Sequence, residues 1–135
     1  MQTFEHIRGH VQSKYKITAS DPYLVCVELS LARGRRHQSI FLSELDGEDD
    51  RKYLRVSTAV APVTGLDARR MLAFNWHRRV GYLAIGDLDS VPYLQLCENR
   101  PYDTLTPAEV DRMILEIGGL GDNLESMLSA GGDLL

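Results

Sequence analysis

Apolar positions recur at helical spacing near the start of the chain. Phe4, Ile7, Val11 and Tyr15 stand three or four residues apart and predict an amphipathic helix over residues 3–15. Asp21-Pro22 breaks that period and opens a strand region. Residues 24–31 alternate, with Val25, Val27, Leu29 and Leu31 on one face. Ala32-Arg33-Gly34-Arg35 predicts a hairpin turn, after which Ile40 and Leu42 carry the apolar face onto the returning strand. The acidic run at 44–50 reads as a solvated loop. A third strand over 52–60 turns Leu54, Val56, Thr58 and Val60 to one side.

A second helix is expected over 66–78, with Ala68, Met71, Leu72 and Asn75 along one stripe. Strands at 82–86 and 91–97 follow, joined by Asp87-Leu88-Asp89-Ser90 as an antiparallel pair. The last helix has the clearest start: Thr106 caps it, Pro107 suits the first helical position, and Glu109 completes a capping box. Its stripe is Val110, Met113, Ile114 and Ile117, resuming at Leu124, Met127 and Leu128. Gly118, Gly119 and Gly121 interrupt it and predict a kink or a break. The expectation is an α+β fold: a five-stranded, mainly antiparallel sheet with helices in the order α-β-β-β-α-β-β-α. One domain spans 1–130, and 131–135 form a loose tail.

Sorting the strand residues by parity separates two unlike faces. Val25, Val27, Leu29, Leu31, Ile40, Leu42, Leu54, Val56, Val60, Leu83, Ile85, Leu94 and Leu96 form an aliphatic face that must be the core. The opposite parity is small and polar and carries four aromatic rings, Phe41, Tyr53, Tyr82 and Tyr93. Three helices cover one face of such a sheet but hardly both. The second face is therefore expected to be open, and its aromatic residues are the candidate partner-binding set, since such rings give contact area at small entropic cost. Aromatic residues also favour strands for cross-strand packing alone.

Composition narrows the classes. The 135 residues include 44% hydrophobic and 25% charged, which suits one soluble globular domain. No apolar run reaches transmembrane length, and no signal peptide is visible at Met1-Gln2-Thr3-Phe4. The two cysteines, Cys26 and Cys97, are too few for a disulfide framework; a cytoplasmic protein with two thiols is expected. A net charge of −4 disfavours nucleic acid, and the arginine clusters at 33–36, 69–70 and 78–79 lack interleaved aromatic residues. No nucleophile elbow, phosphate loop or HExxH motif is present. His6 and His10 stand one helical turn apart, but no third ligand lies near them in sequence, so no metal is expected. No catalytic residue and no cofactor is assigned.

Several strings are similar to the type III secretion chaperone-like superfamily of bacteria, which includes the Tir-chaperone type and the sensory-transduction-regulator type called YbjN. Residues 51–62, RKYLRVSTAVAP, resemble that family's third strand and its closing Ala-Pro. Arg70-Met71-Leu72-Ala73-Phe74-Asn75 resembles its middle helix, Gly81-Tyr82-Leu83-Ala84-Ile85 the next strand, and Leu105-Thr106-Pro107-Ala108-Glu109-Val110 the entry to its last helix. The resemblance implies a cytoplasmic, cofactor-free protein that binds an extended segment of a client, a secreted effector or a regulatory partner. It also implies a homodimer with Met71, Leu72, Asn75 and Trp76 at the contact. The expectation is thus a non-enzymatic protein-binding module without nucleic-acid or membrane partners. The alternative is a small-molecule sensor or minor enzyme with a pocket between helices and sheet.

Overall fold

The first helical stripe forms α1, Phe4–Lys14, where Phe4, Ile7 and Val11 are buried and the Thr3 hydroxyl caps the His6 N–H at 3.2 Å. The computed structural model describes residues 1–31 and 33–129. The expected tail at 131–135 and the hairpin position Ala32 lie outside them.

Tyr15 is already extended, and the chain passes straight into β1, Lys16–Asp21. Then come β2, Leu24–Leu31; β3, Arg36–Asp46; β4, Lys52–Pro62; α2, Ala68–His77; β5, Tyr82–Leu88; β6, Val91–Pro101; and α3, Pro107–Ser129. Short 3-10 turns lie at Glu48–Asp50 and Tyr102–Thr104. Among the described residues the strands form one sheet in the order β1-β2-β3-β4-β6-β5, antiparallel at every pairing.

The sheet therefore has six strands rather than five, and the element order gains a strand after α1. β1 is almost wholly exposed, so no alternation of buried residues announces it. Pairing with β2 holds it, through a turn in which Asp21 Oδ1 accepts the Tyr23 N–H at 2.9 Å. The acidic run is also partly strand, since β3 continues to Asp46 before the turn begins.

All three helices lie on one face. α3 crosses β4, β3 and β6, α1 packs on α3 and β1, and α2 packs on β5. Beneath them Val25, Val27, Ile40, Leu42, Leu54, Val56, Leu94 and Leu96 are fully buried, which matches the aliphatic parity set. Two members of that set fall short: Leu31 is only half-buried and Ile85 is exposed. The second helix also turns differently from its expected stripe. Phe74 is its buried residue, flanked by half-buried Met71 and Asn75, and Leu72 is exposed.

α3 starts as expected, with the Thr106 hydroxyl accepting the Glu109 N–H at 3.2 Å. The Glu109 carboxylate faces Arg112 at 3.5 Å. The helix then runs unbroken from Pro107 to Ser129, against the expected break at its glycines. Close packing explains them. A Cβ at Gly118 would overlap Leu29 Cδ2, and one at Gly121 would overlap Thr58 Cγ2. These glycines bring α3 down onto the sheet.

The register of β3 with β4 ends at Phe41–Ser57, so the two strands part beyond that point. Two buried polar side chains bridge the fork. Gln38 Nε2 donates to Thr58 Oγ1 at 2.7 Å, and Thr58 Oγ1 donates to the Ser39 carbonyl at 2.8 Å. Side chains thus satisfy groups that the ladder leaves unpaired.

Candidate functional site

The helix-free face is defined by register. Ala19, Cys26, Phe41, Ser57, Cys97 and Tyr82 are successive Cα partners across β1, β2, β3, β4, β6 and β5. A second row places Leu24, Ser43, Arg55 and Asn99 beside one another. Residues of both rows line one groove of about 770 Å³, which also takes in Asp87, Leu88 and Asp89 from the β5–β6 hairpin tip. Leu88 further shares a smaller hollow with His37, Ser39 and Phe41 of β3. A lining drawn from all six strands, with the hairpin tip brought near β3, makes this face concave.

The groove floor is mostly neutral. Burial pushes the Cys97 thiol above its ordinary value, more than the nearby Arg55 charge and a hydrogen bond with Tyr82 lower it, so it stays protonated near neutral pH. Cys26 is also buried, and both cysteines are free. β3 and β4 separate them, at three strand spacings or roughly 14 Å along the sheet, beyond the reach of a disulfide. Tyr82 Oη donates to Asn99 Oδ1 at 3.1 Å, and Gln95 Nε2 donates to the Gly86 carbonyl at 3.0 Å. The Glu28 carboxylate is engaged by His37 at 2.7 Å and Lys16 at 3.3 Å. Arg55 differs: it is half-buried, and its Nε is buried without a hydrogen-bond partner.

Of the four candidate aromatic residues, two line the groove. Phe41 and Tyr82 stand in the central row and line the groove. Tyr53 pairs with Pro101 at the start of β4, beneath the Arg51 guanidinium at 5.7 Å. Tyr93 pairs with Pro62 at the other end of that strand and lines a separate hollow with Ala61 and Leu128. Nine residues of extended chain, roughly 30 Å, separate those two positions.

The candidate dimer residues divide as well. The Asn75 amide accepts the Leu83 N–H at 2.6 Å and donates to the Leu83 carbonyl at 3.1 Å, so it occupies part of the outer edge of β5. Met71 is half-buried, whereas Leu72 and Trp76 are 69% and 86% exposed. Arg55 was legible by parity as an open-face residue. Its isolation was not, because that depends on which neighbours the register supplies.

His10 Nε2 lies 2.9 Å from Asp111 Oδ1. Among the described residues no group of three His, Cys, Asp or Glu side chains is placed to hold a metal ion. None of their helices is long and apolar enough to cross a membrane.

Fold and site together define an α+β domain, an antiparallel sheet backed by helices on one face and concave on the other. A chain of the HopA1–SchA chaperone–effector complex shares this fold, with a TM-score of 0.58 over 87% of this chain and 88% of that one, at 13% identity. An uncharacterized protein from Methanothermobacter thermautotrophicus aligns over 88% of this chain and 96% of that one at 14% identity. Its TM-score of 0.42 carries no conclusion on fold. No family profile matches the sequence, and no curated protein matches it.

Proposed function

We propose that the protein is a non-enzymatic binding module of the secretion-chaperone kind, or a YbjN-type regulator of the same fold, which holds an extended segment of a partner protein. The observation that carries this reading is the concave face itself: about 770 Å³ of groove across six strands, left uncovered by every helix. Phe41 and Tyr82 are its central contacts, with Tyr53 and Tyr93 as outlying ones. Partly exposed strand edges at β1 and β5 suit an extended partner, which gains affinity from main-chain hydrogen bonds and specificity from alternate side chains. Likeness of fold to a chain from a chaperone–effector complex supports a protein client. The reading places the protein in the cytoplasm as a homodimer joined through Met71, Leu72, Asn75 and Trp76, without cofactor, nucleic-acid or membrane partner.

The test is affinity capture from the native cells, identification of the partner by mass spectrometry, and calorimetric titration of the purified pair. Phe41→Ala and Tyr82→Ala are expected to weaken binding at least tenfold, about 1.4 kcal/mol each. Variants that keep the wild-type circular dichroism and melting temperature yet bind unchanged would sink the platform. A second reading, a sensor of small molecules, draws on the groove volume, which falls in the range of ligand pockets. It would place the ligand on the helix-free face, since buried aliphatic side chains fill the space between helices and sheet.

A further inference from the structure

We infer that the concave face selects for a carboxylate: Arg55 is the anchor for an aspartate or glutamate side chain on an extended segment of the partner. This deepens the protein-binding reading and rests on it.

Arg55 stands on β4, with β3 and β6 on either side. Its register neighbours are Ser43 and Asn99, and Ser57 follows two residues along the same face. None of them bears a charge. Elsewhere the half-exposed arginines meet carboxylates: Arg36 with Asp122 at 2.9 Å, Arg51 with Asp103 at 3.2 Å, and Arg100 with Glu98. Among the described residues no carboxylate pairs with Arg55, and its Nε–H is buried without an acceptor. Asp87 and Asp89 also line the groove, at the hairpin tip, and neither pairs with the guanidinium. Cys97 beside it supplies no thiolate.

An unmatched buried donor is costly, and more so when it is charged. A carboxylate from outside removes that cost and matches the planar guanidinium fork with two parallel hydrogen bonds. The surroundings favour a peptide over a free small acid. The central row spans five strand spacings, about 24 Å, which is the length of roughly seven extended residues. Along it lie Cys26, Phe41, Ser57 and Tyr82, groups that a peptide contacts and a lone carboxylate does not reach.

The test is selection of random displayed decapeptides on the wild-type protein and on Arg55→Met, followed by sequencing. The expected result is enrichment of Asp or Glu at one position, at least fivefold, that disappears on Arg55→Met. Changing that residue to Asn or Gln in a synthetic binder should weaken affinity for the wild type tenfold or more. The same change should matter little to Arg55→Met. Should that variant fail to fold, the paired carboxylate and amide peptides on the wild type still decide the matter. Binders without a carboxylate preference, or a preference that persists on Arg55→Met, overturn the anchor and leave the protein-binding reading standing. A pool with no enriched peptide overturns both. Saturable binding of acetate at Arg55 without any peptide enrichment also overturns the inference and favours the small-molecule sensor.

Discussion

Three glycines in α3 look alike in sequence and differ in what surrounds them. Gly121 faces Thr58, a fully buried β-branched residue whose hydroxyl is tied both to Gln38 and to the Ser39 carbonyl. Thr58 has no room to give. Gly118 faces the end of the Leu29 side chain, which has more freedom to turn aside. Nothing lies within 4 Å of a Cβ at Gly119. Alanine at Gly119 is therefore expected to stabilise the protein by about 1 kcal/mol through helix propensity alone. Alanine at Gly121 is expected to destabilise it by about 1–3 kcal/mol through overpacking, with Gly118→Ala between the two. Urea denaturation midpoints check the order. If Gly121→Ala proves as stable as Gly119→Ala, α3 does not sit on the sheet as described.

Docking of whole elements depends on a few polar side chains. Asp111 of α3 receives Tyr15 Oη at 2.8 Å, His10 Nε2 at 2.9 Å and Lys14 Nζ at 2.8 Å, which ties α1 and the residue after it to the last helix. Burial alone would raise the Asp111 carboxyl, but the hydrogen bonds from Lys14, His10 and Tyr15 outweigh it and hold the carboxyl below its ordinary value. A lowered folded value means that the clip is fully present above the ordinary aspartate range near pH 4 and is lost as the pH falls through the folded value. Asp111→Asn should cost about 1–3 kcal/mol near neutral pH, most of it from the partly buried His10 and Tyr15 bonds, because Lys14 is half exposed. The gap to wild type should stay constant above the ordinary aspartate range near pH 4 and close only as the pH falls below it and through the folded value. A gap that stays constant with pH would remove the ionised clip. At the other end of the sheet, Asn75→Ala frees both backbone groups of Leu83 and should speed amide exchange there, while core amides of β4 keep their protection. These elements also mark what the chain discloses by itself. The alternation from Val25 to Leu29 and the Thr106 cap follow from local periodicity and side-chain chemistry, and both were legible. β1 was not, since its one half-buried residue, Ile17, makes no alternation and the strand is gained from pairing with β2. The unbroken α3 was hidden for a related reason: the glycines that weaken a helix alone are the ones that let it pack. The central row of the groove needed the register of six strands, which no local pattern contains.

Across the whole molecule, the exposed apolar side chains are unevenly placed. Leu72 and Trp76 share one face of α2, one helical turn apart, and Ile85 is 57% exposed on the edge strand that α2 covers only in part. Asn75 occupies the backbone groups of Leu83, and the rest of the β5 edge is left to a neighbour or to water. A second copy seated on this end would bury a tryptophan and a leucine that otherwise meet solvent, worth roughly 1.5–3 kcal/mol for each large side chain fully covered. The protein carries one tryptophan, so its fluorescence reports this end of the molecule alone. If the proposed homodimer forms through α2, emission should move to shorter wavelength as concentration rises, in step with a doubling of mass by light scattering. Trp76→Phe removes the signal but should keep the dimer, whereas Leu72→Asp should leave a folded monomer. A doubling of mass with unmoved emission would shift the contact away from α2, to the exposed edge of β1. A constant monomer mass would remove the dimer altogether and leave a single concave face to hold the partner, so the stoichiometry with a purified client would then have to be one to one.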